Sequence, residues 1–312
     1  MSKLLTVSRL RAYRRCARYE RLSYVDGWRP VRDSEALHFG TLVHAGLEAW
    51  WTAHRHNAPE LAREAAMAAV VGKAADPFTQ VKVEELLRGY DARWADQRCE
   101  IDGVEDQFSA PLLNPQTMRR SKVWTLAGKI DARATIDGRR LIVEHKTTSE
   151  DISPAADYWI KLQMDHQLSI YTLGAEALGW PPDGCLYDVL KKPALRPLEA
   201  NSRRAAPETP DEFRARLRAA IDEEPERWFQ RREIPRMESQ LIEFLDDAWN
   251  QGASMAADHK AGRAPRNPEA CHLFGRCPYW AVCSVGLRPE EHPDLFRRVE
   301  HVHPELAEDA AA

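Results

Sequence analysis

No run of eighteen apolar residues occurs anywhere in the 312-residue chain, so no stretch has the length and composition of a membrane-spanning helix. The opening residues, MSKLLTVSRLRAYRRC, lack an apolar core followed by a small-residue cleavage site, which argues against a secretory signal and makes a cytoplasmic protein the expectation. A G-x-x-x-x-G-K-[ST] phosphate loop is also missing, which leaves out a nucleotide-driven motor of the usual type. Positive charge is not in excess: 44 Lys and Arg stand against 48 Asp and Glu, for a net charge of -4. Any attraction to a polyanion must then come from local patches rather than from the whole surface. There is no internal repeat. Cysteine is scarce, at six residues, but Cys271, Cys277 and Cys283 are clustered while Cys16, Cys99 and Cys185 are scattered. In a reducing compartment, clustered cysteines are more often metal ligands than disulfides.

What is present is a globular composition, long enough for one large domain or a domain with an insertion. Its centre is GKIDARATIDGRRLIVEHK, residues 128–146. Two apolar-alternating runs, 123–136 and 141–144, flank Asp137-Gly138, a dipeptide favoured in two-residue hairpin turns because both positions tolerate φ > 0. The spacing predicts a β-hairpin with Asp131 on the first strand and Glu144-His145-Lys146 at the end of the second. Antiparallel pairing then brings two carboxylates and an ammonium to one end of a sheet. Such a trio suits phosphodiester hydrolysis: the carboxylates hold Mg²⁺ or Mn²⁺, and the lysine orients or deprotonates a water. The competing reading is a set of strand-end charges that face water.

Before the hairpin, Ser8 is the expected N-cap of a helix carrying Arg9, Arg11, Arg14, Arg15, Arg18 and Arg21. These arginines read either as a solvated basic face or as a phosphate-tracking surface. The stretch 37–56 has a helical apolar stripe, with His44 on the face of Gly40, Glu48 and Trp51. A lone histidine on such a face is more often a boundary residue than a ligand. Two helical patterns in residues 58–101 resemble an insertion, and a strand is expected over 104–113. After the hairpin come a helix over 155–178 containing Gln167 and Tyr171, a buried strand over 185–190, a proline-rich connection over 193–210, and helices over 211–230 and 237–260.

Cys271, Cys277 and Cys283 stand in C-x5-C-x5-C spacing. They can share a metal centre, for which Cys16, flanked by arginines, is the candidate fourth thiolate. A [4Fe-4S] cluster and zinc are not separated by this spacing, and partly buried cysteines in an aromatic loop are the alternative.

Taken in order, SRLRAYRRCARYE, FGTLVHAGLE, AGKID, LIVEHKTT, QLSIY and the closing cysteines resemble the RecB-like branch of the PD-(D/E)XK nuclease superfamily. The resemblance is to its iron–sulfur members, which include AddB nuclease domains and CRISPR-associated and phage exonucleases. The cysteine spacing departs from the AddB type, in which two of the last three lie closer together.

The resemblance implies an α/β fold with a restriction-endonuclease-like core, a mixed central sheet flanked by helices. Within a single domain spanning residues 1–312, it implies a helical insertion at 52–101 and a catalytic core at 104–191. Residues 1–26 and 265–288 would be joined at a metal cluster. It further implies that His44, Asp131, Glu144 and the backbone carbonyl of His145 bind Mg²⁺ or Mn²⁺, with Lys146 catalytic. Gln167 and Tyr171 would position DNA, and Cys16, Cys271, Cys277 and Cys283 would hold a [4Fe-4S] cluster, with zinc the lesser alternative. The implied activity is metal-dependent DNA exonuclease action in recombination, repair or phage DNA processing. A structure-specific endonuclease and a non-catalytic DNA-binding subunit are the alternatives. DNA is the expected partner, alongside a separate helicase or recombinase, and no membrane.

Overall fold

The hairpin forms where the alternation and the turn residues place it. Asp137 and Gly138 adopt φ of 51° and 76°, and Ile136 pairs with Arg139 across the two-residue turn. The computed structural model describes residues 2–31, 35–97, 99–200, 206–273 and 275–306.

In chain order, strand β1 (Lys3–Leu5) leads into helices α1 (Val7–Arg15) and α2 (Ala17–Glu20) and a π-helical turn (Arg21–Val25). Strand β2 (Trp28–Pro30) is followed by helices α3 (Glu35–Arg55), α4 (Ala62–Val70) and α5 (Pro77–Trp94). Strands β3 (Glu100–Leu113), β4 (Arg120–Ile136) and β5 (Arg139–Thr148) precede helices α6 (Asp157–Lys161) and α7 (His166–Ala177). Strand β6 (Gly184–Lys191), helices α8 (Pro210–Glu223) and α9 (Pro225–Trp228), and strand β7 (Phe229–Ile234) complete the centre. The chain closes with α10 (Glu238–Lys260), α11 (Trp280–Ser284) and β8 (Phe296–Arg298).

The six-stranded sheet is mixed. It runs β3-β4-β5-β6-β7, with β1 also on β4; β1·β4 and β5·β6 are parallel and the other pairs antiparallel. Because β3 occupies one edge of β4 along most of its length, β1 and β5 must share the other. There β1 pairs with Trp124–Leu126, and β5 with residues 132–136. The interval 127–131 between them has no registered partner on that edge, and Asp131 lies in it.

Both faces are covered, which is why β6 is buried almost throughout. One face packs Ile142, Tyr187 and Val189 against Leu168 and Ile170 of α7 and Phe244 and Ala248 of α10. The other packs Leu141, Val143 and Leu186 against Val43 and Leu47 of α3, Leu86 of α5 and Phe213 of α8. Helices α4 and α5, in the stretch expected as an insertion, belong to this second layer.

Three expectations are corrected. Thr6, not Ser8, caps α1, because its hydroxyl accepts from the Arg9 N–H while Ser8 already lies inside the helix. The helix expected over 155–178 is broken at Asp165, whose extended backbone and side-chain acceptance from Gln167 N begin α7 afresh. The helix expected to reach residue 230 ends as α8 at Glu223, and after the break at Glu224 the short α9 stops at Trp228. Phe229–Ile234 instead forms β7, which pairs with β6 and buries Phe229 and Ile234. Of the connection 193–210, residues 201–205 lie outside the described residues.

Candidate active site

Four elements converge at the unpaired interval of β4. The His145 N–H at the end of β5 donates to Asp131 Oδ2 at 2.8 Å, so one strand's backbone holds the other strand's carboxylate. Two-residue periodicity puts Glu144 and Lys146 on one face of β5, where they form an ion pair. Helix α7, started by the Asp165 cap, lays Gln167 and Tyr171 beside them. Gln167 Nε2 donates to Glu144 Oε1 at 2.7 Å and to the Tyr171 hydroxyl at 3.0 Å, and its Oε1 accepts from Lys146 Nζ at 3.1 Å. Gly128 permits this approach: a Cβ there would lie 2.6 Å from Phe108 and 3.1 Å from Tyr171. From the opposite layer, α3 brings His44 Nδ1 to 3.8 Å from Asp131 Oδ2.

The electrostatics are those of a site short of positive charge. Burial, then the neighbouring Asp131 charge, push the Glu144 carboxyl up to about 8, against the pull of Lys146. Burial works against the charge on Lys146, but Glu144 and Asp131 outweigh it and hold the ammonium above the ordinary lysine value. Burial lowers His44 to about 4, only partly offset by Asp131, which leaves the imidazole neutral as a ligand must be. Its side chain keeps 35 % of its surface open to solvent, which moderates the shift.

Among the described residues, no three His, Cys, Asp or Glu side chains converge tightly enough to hold an ion. The donor chemistry does fit a hard divalent cation. Glu144 Oε2 is buried without a hydrogen-bond partner among the described residues, the Asp131 carboxylate is near enough to raise the Glu144 carboxyl, and the neutral His44 imidazole lies against Asp131. A cation held by Glu144 would have to displace its proton. Mn²⁺ affinity of the DNA-free protein is therefore expected to rise up to about tenfold per pH unit towards pH ~8 and to level off above it. Calorimetric titration over about pH 6 to 9 measures this, and a flat profile would contradict it.

Two clefts flank the site. One of about 470 Å³ is lined by His44, Glu48, Glu105, Lys129 and Asp131. The other, of about 210 Å³, is lined by Lys129, Lys146, Gln167 and Tyr171. Glu305, in the short turn Pro304–Leu306, lines both. Sequence reasoning missed Glu105, Lys129 and Glu305. Glu105 has a left-handed backbone (φ 54°), pairs with Lys129 and is raised to about 7 by burial and by Asp131. It carried no periodic signal, and Glu305 reaches the site only through the tertiary fold.

The arginines expected on a single first helix are spread over α1, α2 and the π-helical turn, because the chain is extended at Cys16, and they divide in role. Arg9 is buried in a pair with Glu20, and Arg18 and Arg21 donate to the Ala264 and Gly262 carbonyls, tying the start of the chain to the end of α10. Arg11 and Arg14 stay on the surface, donating to Asp165 and Gln251. Cys16 sits at the extended break between α1 and α2 and lines a cleft of about 550 Å³ together with Cys271, Cys277 and Cys283. All four are unbridged and half-buried. Burial and the other thiols of this cleft raise the Cys277 and Cys283 thiols, with Arg15 and Arg18 opposing.

A mixed sheet presenting a strand aspartate opposite a Glu-x-Lys pair defines an architecture suited to hydrolysing phosphodiesters with a divalent ion. Residues 4–284 match the PD-(D/E)XK nuclease superfamily, and the chain belongs to it. Membership makes it a metal-dependent nuclease by class. No curated protein matches the sequence. Among solved structures, one described as "Crystal structure of SSO0001" aligns over 92 % of this chain and 89 % of its own, at 14 % identity and a TM-score of 0.33. No helix among the described residues is long and apolar enough to cross a membrane.

Proposed function

We propose that this protein is a DNA exonuclease of the RecB-like, iron–sulfur-bearing type. The observation that carries the reading is that α3, β4, β5 and α7 bring His44 to Asp131, and Lys146 and the Gln167–Tyr171 pair to Glu144, whose second carboxylate oxygen is buried without a partner among the described residues. His44, Asp131, Glu144 and the His145 carbonyl are the ligands for Mg²⁺ or Mn²⁺. When bound, the ion supplies Lewis-acid polarisation of the scissile phosphate and lowers the pKa of a water.

The side chains do the rest. Lys146, held by Glu144 and Gln167, points its ammonium at the reacting region, where it orients the attacking water and neutralises developing charge. Gln167 couples Lys146 to Tyr171, so a substrate strand touching α7 is placed relative to the same residues. The His145 N–H keeps Asp131 turned into the site. Cys16, Cys271, Cys277 and Cys283 hold a [4Fe-4S] cluster that joins the first helices to the C-terminal segment. Zinc is the competing metal, and a helicase, where one is involved, is a separate protein.

The test is hydrolysis of linear and covalently closed DNA with Mg²⁺ or Mn²⁺, by wild type and Asp131→Ala. The expected outcome is degradation of linear DNA, intact circles, and near-complete loss in the variant. Cleavage of circles would make the enzyme an endonuclease, and wild-type rates from Asp131→Ala would overturn the site.

A further inference from the structure

Behind the catalytic face lies a buried polar network that the proposed chemistry does not use. Asp188 of β6 is the direct parallel neighbour of His145 and has no exposed surface. Its Oδ2 accepts from the Tyr90 hydroxyl of α5 at 2.6 Å and from Arg231 Nη2 of β7 at 3.0 Å. The same oxygen lies 3.3 Å from His145 Nδ1, at ion-pair reach but outside hydrogen-bond geometry. Tyr90 also accepts from Trp51 Nε1 at 2.9 Å and Arg231 Nη2 at 2.7 Å. Arg231 stacks 4.2 Å from the Trp94 ring and donates to Gln97. The His145 ring is packed among Trp51, Tyr90 and His44, at centroid distances of 5.5, 6.5 and 6.3 Å.

A buried charge pair is a poor way to stabilise a core, since apolar residues of the same volume usually do as well or better. What apolar residues cannot do is fix a ring and its peptide in one orientation. The peptide concerned is the one whose N–H holds Asp131, and Trp51 of the network shares α3 with His44.

We propose that Asp188, with Tyr90 and Arg231, positions the active site by locking His145 and, through its peptide, Asp131 and the adjacent Glu144. The inference rests on the reading of these residues as the metal site. Asp188, Tyr90 and Arg231 are positioning residues, because none lies among the proposed ligands. Outer-shell partners of metal ligands typically account for about 10- to 100-fold in metal affinity.

The experiment measures Mn²⁺ binding to DNA-free protein by calorimetry, together with thermal unfolding, for wild type, Asp188→Asn, Tyr90→Phe and Leu217→Ala. Leu217 is an apolar side chain buried in the same core layer, so it can make no hydrogen bond or charge contact with the network, and it controls for loss of stability alone. The expected result is about 10- to 100-fold weaker Mn²⁺ binding in Asp188→Asn and a smaller loss in Tyr90→Phe. Leu217→Ala should keep wild-type affinity despite a comparable drop in Tm. Wild-type affinity in both Asp188→Asn and Tyr90→Phe, or equal weakening in Leu217→Ala, would overturn the positioning role alone. A wild-type protein that binds no Mn²⁺ would overturn the metal site and this role together.

Discussion

Glu144→Gln is expected to lower the rate of DNA hydrolysis about a thousandfold or more and to flatten the pH dependence of the metal-free protein's stability. The rate loss follows from deleting one of the two carboxylates proposed to hold the ion, whose charge stabilisation is worth several kcal/mol, and ~4 kcal/mol corresponds to ~10³ in rate. The substitution also removes the partner that keeps the buried Lys146 ammonium charged, since burial alone works against that charge. The stability side follows from the sign of the Glu144 shift. Its carboxyl is raised to about 8, above the ordinary 4.5, so the folded protein prefers the protonated form. Metal-free wild type therefore loses stability as pH rises from about 4.5 through about 8. Glutamine is neutral at every pH and lacks that loss, so the Tm of Glu144→Gln gains on that of wild type as pH rises over this window. Unfolding curves in chelator and initial rates with Mn²⁺ test both halves, and a variant that unfolds far below wild type at high pH would show Glu144 to be structural.

Cys16→Ala is expected to lower Tm by several degrees, at most about 8 °C, and to release iron from the proposed cluster, whereas Cys99→Ala, outside the four-cysteine cleft, changes neither. A cluster joining Cys16 to the three late cysteines closes a loop of roughly 250 residues, for which chain entropy alone predicts ~5 kcal/mol of stabilisation. The figure is an upper value for this chain, because other contacts already bring the ends together. Arg18 and Arg21 bind carbonyls at 264 and 262, and Asn267 Nδ2 donates to the Arg15 carbonyl at 3.0 Å. Iron analysis with unfolding curves of anaerobically purified protein decides. Full iron with an unchanged Tm in Cys16→Ala would remove Cys16 from the ligand set, and stoichiometric zinc in wild type would replace the cluster by a zinc centre.

The parts of the site that could be read from the sequence are those written in short-range periods. Alternation and Asp137-Gly138 specify the hairpin, because a two-residue turn with φ > 0 has few alternatives. A spacing of two puts Glu144 and Lys146 on one strand face, and a spacing of four puts Gln167 and Tyr171 on one helix face, whatever the rest of the chain does. Helix boundaries were less secure: Thr6 and Ser8 are both acceptable caps, and only the path of β1 into α1 selects Thr6. Strand β7 carries no strand signal of its own, because FQRREI has no local preference strong enough to mark it, and the helical pattern preceding it runs on over Phe229 and Gln230. It is a strand because β6 offers it an open edge.

The sequence by itself determined the local units and the chemical identity of the reactive groups. The tertiary structure alone decided what meets what: His44 against Asp131, Glu305 between the two clefts, and Asp188 and Arg231 behind His145. The physical reason is the range of the forces involved. Periodicity and turn preference act over a few residues, whereas edge pairing, burial and the pKa shifts at Glu144 and His44 depend on distant segments closing over the same small volume.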